Sequence, residues 1–157
     1  MKLLVLSDSH GRASYIEKAI EKHPDARHIF FLGDNISDIE DYDLIYPERL
    51  FYKVAGNCDF ASLSKCSDTA LIENTKIIYC HGHTYNVKSG TDYLVATALQ
   101  NDCKIALYGH THIPDIAYKN GIYVINPGTL SGCRTGLCTY CVIDINGDKI
   151  YPFMEKI

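Results

Sequence analysis

No run of this sequence approaches the ~20 consecutive apolar residues of a membrane-crossing helix, so no membrane partner is expected. A basic block is missing as well. Fifteen Lys and Arg, scattered singly, stand against nineteen Asp and Glu, for a formal charge of −4. Without such a block the chain lacks the surface on which generic, backbone-driven nucleic-acid binding depends, and nucleic acid is disfavoured as a partner. The start offers no export signal: Met1-Lys2-Leu3-Leu4-Val5-Leu6 has one basic residue, and Asp8 interrupts an apolar run too short for a signal-peptide core. Linkers, repeats and low-complexity tracts are absent too. The 157 residues therefore read as one domain, 1–157, long enough to bury roughly 70% of its unfolded surface.

Disulfide-rich loops are also lacking. The seven cysteines (58, 66, 80, 103, 133, 138 and 141) are odd in number and mostly sit in apolar stretches, which is the pattern of reduced thiols and points to a cytoplasmic location. Cys138-x-x-Cys141 invites a zinc or redox reading. It falls, however, in 137–145, a predicted strand, where positions i and i+3 face opposite sides, so both are read as small core-filling residues.

What the chain does have is a series of short apolar runs that stop on polar residues. Lys2 to Leu6 reads as a buried strand and ends on Asp8-Ser9-His10-Gly11. Ser14 to Lys22 has helical spacing with a charged face, and Pro24 closes it. His28 to Leu32 is a second strand, ending on Gly33-Asp34-Asn35. Ile36 to Tyr42 reads as a short acidic helix. Arg49 to Val54 is a third strand, stopping at Gly56-Asn57-Cys58-Asp59.

Beyond Ser67 the character changes. Thr69 to Glu73 and Lys76 to Cys80 flank Asn74-Thr75 as a hairpin, and the second of these strands runs into His81-Gly82-His83. Asp92 to Gln100 reads as a helix, and Lys104 to Tyr108 as a strand ending on Gly109-His110-Thr111-His112. Asn120-Gly121 is the strongest hairpin signal, joining Asp115 to Lys119 with Ile122 to Ile125. Asn126-Pro127-Gly128-Thr129 is a turn, Arg134 follows in a Gly-rich loop, and Asn146-Gly147 joins a last hairpin. Strand–helix alternation followed by hairpins predicts an α/β fold of two packed sheets with helices outside.

Five strand ends thus carry Asp8 and His10, Asp34, Asn57, His81, and His110 with His112. Each alone is ordinary turn chemistry. Parallel strands, however, deliver their carboxyl ends to one edge, so all seven side chains can converge. Seven donors exceed what one metal with an open position takes. A two-metal site sharing one carboxylate accounts for them, and Asp34, alone on its strand tip, is the natural bridge.

These motifs, in this order, resemble the calcineurin-like metallophosphoesterases. The small size, the Gly-Asn-Cys-Asp form and Asn126-Pro127-Gly128-Thr129 are most similar to the compact bacterial and archaeal phosphodiesterase branch. The resemblance implies a four-layer α-β-β-α sandwich of two mixed sheets flanked by helices, and a dinuclear site at its top edge. The first metal would take Asp8, His10, Asp34 and His112; the second Asp34, Asn57, His81 and His110. Asp34, Asn57 and His81 are thereby expected at the centre of catalysis, with Asn35, Cys58, His83, Asn126 and Arg134 as substrate-contact candidates.

The expected cofactors are two divalent transition metal ions, manganese first, with nickel, zinc, iron or cobalt also suited to Asp, Asn and His donors. Two such ions with two aspartates leave a local positive excess of about two, which draws in a phosphate despite the acidic chain. The expected reaction is hydrolysis of a small phosphodiester or other phosphate ester by in-line attack of a metal-bridging hydroxide. Many relatives carry histidine where Cys58 stands. A thiol with a pKa of about 8.5 is a less well tuned acid near neutrality, so aryl or activated diesters are expected over alkyl monoesters. The alternatives are a metal-binding protein-interaction scaffold of the same fold, as in the retromer subunit, and a nuclease. A homo-oligomer through hairpin edges and the many tyrosines stays open.

Overall fold

Successive side chains of β1 (Lys2–Leu6) leave on opposite faces, and both faces are buried. Leu3 and Val5 enter one apolar cluster, Leu4 and Leu6 another. That double burial explains the unbroken apolar run, and it requires a layer on each side. The computed structural model describes residues 1–132 and 136–157, and it supplies both layers.

One five-stranded sheet has the order β10-β9-β1-β2-β3, with β2 (His28–Phe31), β3 (Leu50–Lys53), β9 (Thr139–Asn146) and β10 (Lys149–Lys156). β1, β2 and β3 run parallel, and β9 and β10 return antiparallel. The second sheet has the order β4-β5-β6-β8-β7, built from β4 (Ser67–Ile72), β5 (Thr75–Cys80), β6 (Ile105–Leu107), β7 (Asp115–Lys119) and β8 (Ile122–Asn126). Its inner strands β5, β6 and β8 are parallel.

Between the sheets lie Leu3, Val5, Phe30, Leu32, Ile77, Tyr79, Ile105 and Leu107. On the outer face of the first sheet, α1 (Ala13–Lys22) buries Ile16, Ala19 and Ile20, the i, i+3, i+4 stripe of an amphipathic helix. On the second, α3 (Asp92–Gln100) buries Leu94, Val95 and Ala98. The result is the expected α-β-β-α order with two mixed sheets.

Several local expectations need correction. The predicted acidic helix splits into a 3-10 turn, Ile36–Ile39, and a single turn α2, Tyr42–Ile45. In the β4–β5 hairpin Thr75 is already in the strand opposite Ile72, because its β-branched side chain is buried; the turn is 73–74, with Glu73 at φ 51°. In the last hairpin Asn146 pairs with Lys149, so the turn is 147–148, with Gly147 at φ 58°. Asn120-Gly121 behaves as predicted, both residues taking positive φ. Cys138 lies just before β9 rather than in it; Cys141 fills the inter-sheet core, and Cys138 does not.

Phe30 stacks on Tyr52 at 4.6 Å between ring centroids and meets Tyr79 edge-on at 5.2 Å. Phe30→Ala is expected to cost about 3–5 kcal/mol by leaving a cavity there. Leu71→Ser, at a side chain 70% exposed, should change stability by less than about 0.5 kcal/mol. Urea unfolding of the metal-free protein checks both.

Candidate metal centre

The carboxyl ends of β1, β2, β3, β5 and β6 bring the predicted residues to one edge of the sandwich. Asp8, His10, Asp34 and His112 present donor atoms that all lie within 4.8 Å of one another. His112 Nε2 is 3.0 Å from Asp8 Oδ1 and 3.3 Å from His10 Nε2, and His10 Nε2 is 3.8 Å from Asp34 Oδ2. A second group converges on His81 Nε2, which lies 3.1 Å from Asn57 Oδ1, 3.2 Å from His110 Nδ1 and 3.5 Å from Asp34 Oδ1. Asp34 therefore turns one oxygen to each group.

Three features of the chain fit a metal. His81 Nδ1 lies 2.7 Å from the Leu32 carbonyl; the N–H it donates there leaves Nε2 bare toward Asn57 and His110, the orientation that a backbone carbonyl imposes on metal-ligating histidines. Two donors at about 2.1 Å from one ion are separated by about 3.0–3.4 Å, close to the spacing around His81 Nε2. Finally, Asp8 is fully buried, and its Oδ1 makes no hydrogen bond although it faces His112. His112 is a cation only when protonated, and a buried carboxylate oxygen is costly unless a cation meets it.

The other Asp8 oxygen is committed. Oδ2 accepts from Ser7 Oγ and from the His110 backbone N–H at 3.1 Å. Burial pushes the Asp8 carboxyl up, but His112, His81 and Ser7 together hold it below the usual range. Burial, with His81 and Lys88, pushes His110 down to about 4. Burial followed by the Asp34 carboxylate pushes the Cys58 thiol up.

Backbone strain concentrates here. Asp8, His10, Asp34, Asn35, His110 and His112 all have positive φ, between 44° and 71°, where residues with a Cβ pay about 1–3 kcal/mol each. Neighbouring glycines allow the close approach: a Cβ on Gly56 would sit 2.1 Å from Asp34 Oδ1, and one on Gly109 2.1 Å from Ser7 Oγ.

Asp59, the last residue of the Gly-Asn-Cys-Asp motif, has a structural role that the sequence reading does not assign. Its carboxylate accepts four backbone N–H bonds, from Asp34 (3.0 Å), Asn35 (2.9 Å), Ile36 (2.9 Å) and Gly56 (2.7 Å), tying the two strand-end loops together. Asp after Asn-Cys was the available signal, since an anion can collect a nest of amides. Thr129 was missed likewise; its hydroxyl holds the Asp8 carbonyl at 2.8 Å.

Among the described substrate-contact candidates, Asn126 lies deepest. It is fully buried; its amide nitrogen donates to Gly109 O and Thr111 Oγ1, and its oxygen accepts from Gly128 N. These bonds tie Asn126 to the loop that carries His110 and His112. Asn35 and exposed Cys58 line a cavity of about 720 Å³ beside the centre. His83 packs 5.3 Å from His81 and 6.1 Å from His110 between ring centroids, with Nδ1 buried and unbonded. Arg134 lies outside the described residues.

A family model described as the calcineurin-like phosphoesterase superfamily domain matches residues 1–148. The chain is 30% identical over 156 residues to a probable metallophosphoesterase of Mycoplasma genitalium, covering 96% of this chain and 91% of that protein. It is 29% identical over 154 residues to phosphodiesterase YfcE of Escherichia coli, covering 83% and 80%. Among solved structures, a predicted phosphoesterase of Streptococcus pneumoniae superposes with a TM-score of 0.85 at 25% identity, covering 99% of this chain and 88% of that one. Vps29 of Entamoeba histolytica, solved with zinc, superposes at 0.79 with 20% identity, covering 100% and 98%. At that identity the likeness shows the fold alone.

Two outcomes follow from the geometry. In chelator, His10→Gly should equal or exceed the parent stability by up to about 1 kcal/mol, because a strained exposed position is relaxed. Asp59→Ala should lose about 2–4 kcal/mol, as four N–H groups lose a charged acceptor. Thermal melts of both variants in EDTA read the difference directly.

Proposed function

This chain belongs to the calcineurin-like phosphoesterase superfamily, and on that premise we propose that it is a dinuclear-metal-dependent phosphodiesterase. The observation that carries the reading is Asp34, whose two oxygens face separate donor groups, Oδ2 toward His10 and Oδ1 toward His81. Asp8, His10, Asp34 and His112 would hold one ion, and Asp34, Asn57, His81 and His110 the other. When bound, two divalent ions, manganese first, supply Lewis acidity at phosphate oxygens and, near neutral pH, a hydroxide for in-line attack.

The chain's own residues do the positioning. The Leu32 carbonyl fixes the His81 ring, and the Cys58 backbone N–H, 2.9 Å from Asp34 Oδ1, fixes the bridging carboxylate. Asp59 locks the Asp34 and Gly56 loops together, so the donors are in place before any ion arrives. Asn35, Cys58 and His83 stand around the centre as the groups that would meet substrate. Cys58 is exposed and lines the cavity beside the centre, where it would meet a departing alcohol. A thiol is a weaker proton donor than an imidazolium near neutrality. The reading therefore favours esters whose alcohol leaves without much protonation, namely aryl diesters.

Two measurements test this. Metal analysis after reconstitution should find about two ions per chain in the parent, a partial loss in Asp8→Ala, and loss of both in Asp34→Ala. Retention of both ions by Asp34→Ala would remove the bridging role. With manganese, nickel or zinc supplied, a bis-aryl phosphate should be hydrolysed faster than its mono-aryl counterpart, and His110→Ala should lose most of the rate. A large monoester advantage would count against the role given to Cys58.

A further inference from the structure

The cavity of about 720 Å³ beside the metal centre is asymmetric in its chemistry. Its inner end is formed by Asn35 and Cys58, the sequence neighbours of Asp34 and Asn57. Its outer part is formed by the 3-10 turn that begins at Ile36 and by the loop that carries Phe60 and Leu63. Those two apolar side chains are 94% and 103% exposed, the highest values among the large hydrophobic residues described. They are nevertheless not on a loose tail: the loop is closed by Ala55 N–H to Lys65 O at 2.8 Å and by Ser62 N–H to Asp59 O at 3.0 Å. Exposed apolar groups held on a pinned loop beside a reactive centre mark a surface that a ligand covers.

The charges on the wall sharpen the class of ligand. Among the described residues, the charged side chains that line the cavity, Glu40 and Asp59, are both acidic; Lys53, whose ammonium donates to the Glu40 carbonyl at 3.2 Å, is not part of the lining and is paired with Asp43. Asp59 is already satisfied by backbone amides, which leaves Glu40 to set the sign of the outer wall. A second phosphate or a carboxylate placed there would face the Glu40 carboxylate, an unfavourable pairing.

Building on the proposed function, we propose that this groove is the leaving-group subsite, and that it selects phosphodiesters of an uncharged, flat aromatic alcohol over esters that carry a further anionic group. The phosphate would sit at the metal centre, with the aromatic ring over Phe60 and Leu63. The subsite lies on the Cys58 side, which joins the choice of a readily departing aryl alcohol to the place where that alcohol is held.

Phosphinates separate binding from chemistry because their P–C bonds do not hydrolyse. The probes are diphenylphosphinate, dimethylphosphinate and phenyl(4-carboxyphenyl)phosphinate, titrated calorimetrically into manganese-reconstituted protein. In the parent the diphenyl compound should bind at least about tenfold tighter than the dimethyl one, a difference of about 1.4 kcal/mol. That ratio should fall toward one in the double variant Phe60→Ser, Leu63→Ser, whose substitutions are at exposed side chains and spare the fold. The carboxylated compound should bind more weakly than diphenylphosphinate in the parent and recover in Glu40→Gln. A ratio near one in the parent, or one unchanged in the double variant, overturns the subsite while metal uptake and diesterase activity leave the proposed function standing. Failure to take up metal overturns the proposed function and this inference together.

Discussion

Two carboxylates buried at the tips of adjacent parallel strands are the constraint around which this molecule is arranged. Asp8 is wholly buried and Asp34 nearly so. Removing such groups from water costs several kcal/mol each unless the surroundings replace the lost solvation. Part of the replacement is built from the backbone: His110 N–H to Asp8 Oδ2, and Cys58 N–H to Asp34 Oδ1. Part comes from Ser7 and from the ring of imidazoles. Asp8 Oδ1, which makes no hydrogen bond, faces His112 Nε2 at 3.0 Å and belongs to the first donor group.

The same constraint explains the strained backbone. To aim a short carboxylate or an imidazole back across a strand tip, the chain must turn within one residue, and the left-handed region makes that turn. Glycine would adopt it freely, but glycine carries no ligand. The chain divides the work: the candidate donors Asp8, His10, Asp34, His110 and His112 accept positive φ, while Gly33, Gly56 and Gly109 give up a side chain where neighbouring atoms come too close for a Cβ. Stability spent in this way is the usual signature of a site that is preorganised rather than assembled on binding.

The sequence made the layers legible because doubly buried strands appear as unbroken apolar runs and an amphipathic helix as a 3.6-residue stripe. The convergence of Asp8, Asp34, His81 and His110 was legible for the same topological reason, since parallel strands share an edge. The hairpin turns at 73–74 and 147–148 were displaced by one residue from the Asn-containing pairs. There, cross-strand pairing and burial of Thr75 outweighed turn propensity. Asn126 and Asp59 were harder still. Whether an Asn faces a ligand or a buried loop depends on contacts more than fifteen residues away in sequence, such as Asn126 to Gly109. Positive φ at His10, His110 and His112, unlike that at Asn120, is announced by no turn pair in the sequence.

The donors come from both halves of the sandwich: Asp8, His10, Asp34 and Asn57 follow strands of one sheet, and His81, His110 and His112 follow strands of the other. The seam between the sheets is held near the centre by His81 to Leu32 O, by His110 N–H to Asp8, and by the close packing of Gly109 on Ser7. Further down it is held by Phe30 against Tyr79. A slip of one sheet past the other would therefore break both donor groups at once. Conversely, an ion bound by residues of both sheets opposes that slip, and stabilises the folded state in proportion to its affinity and concentration. The inter-sheet core and the candidate metal centre are two ends of one coupled structure, in which donors on short strand-end loops are held in place by the packing beneath them.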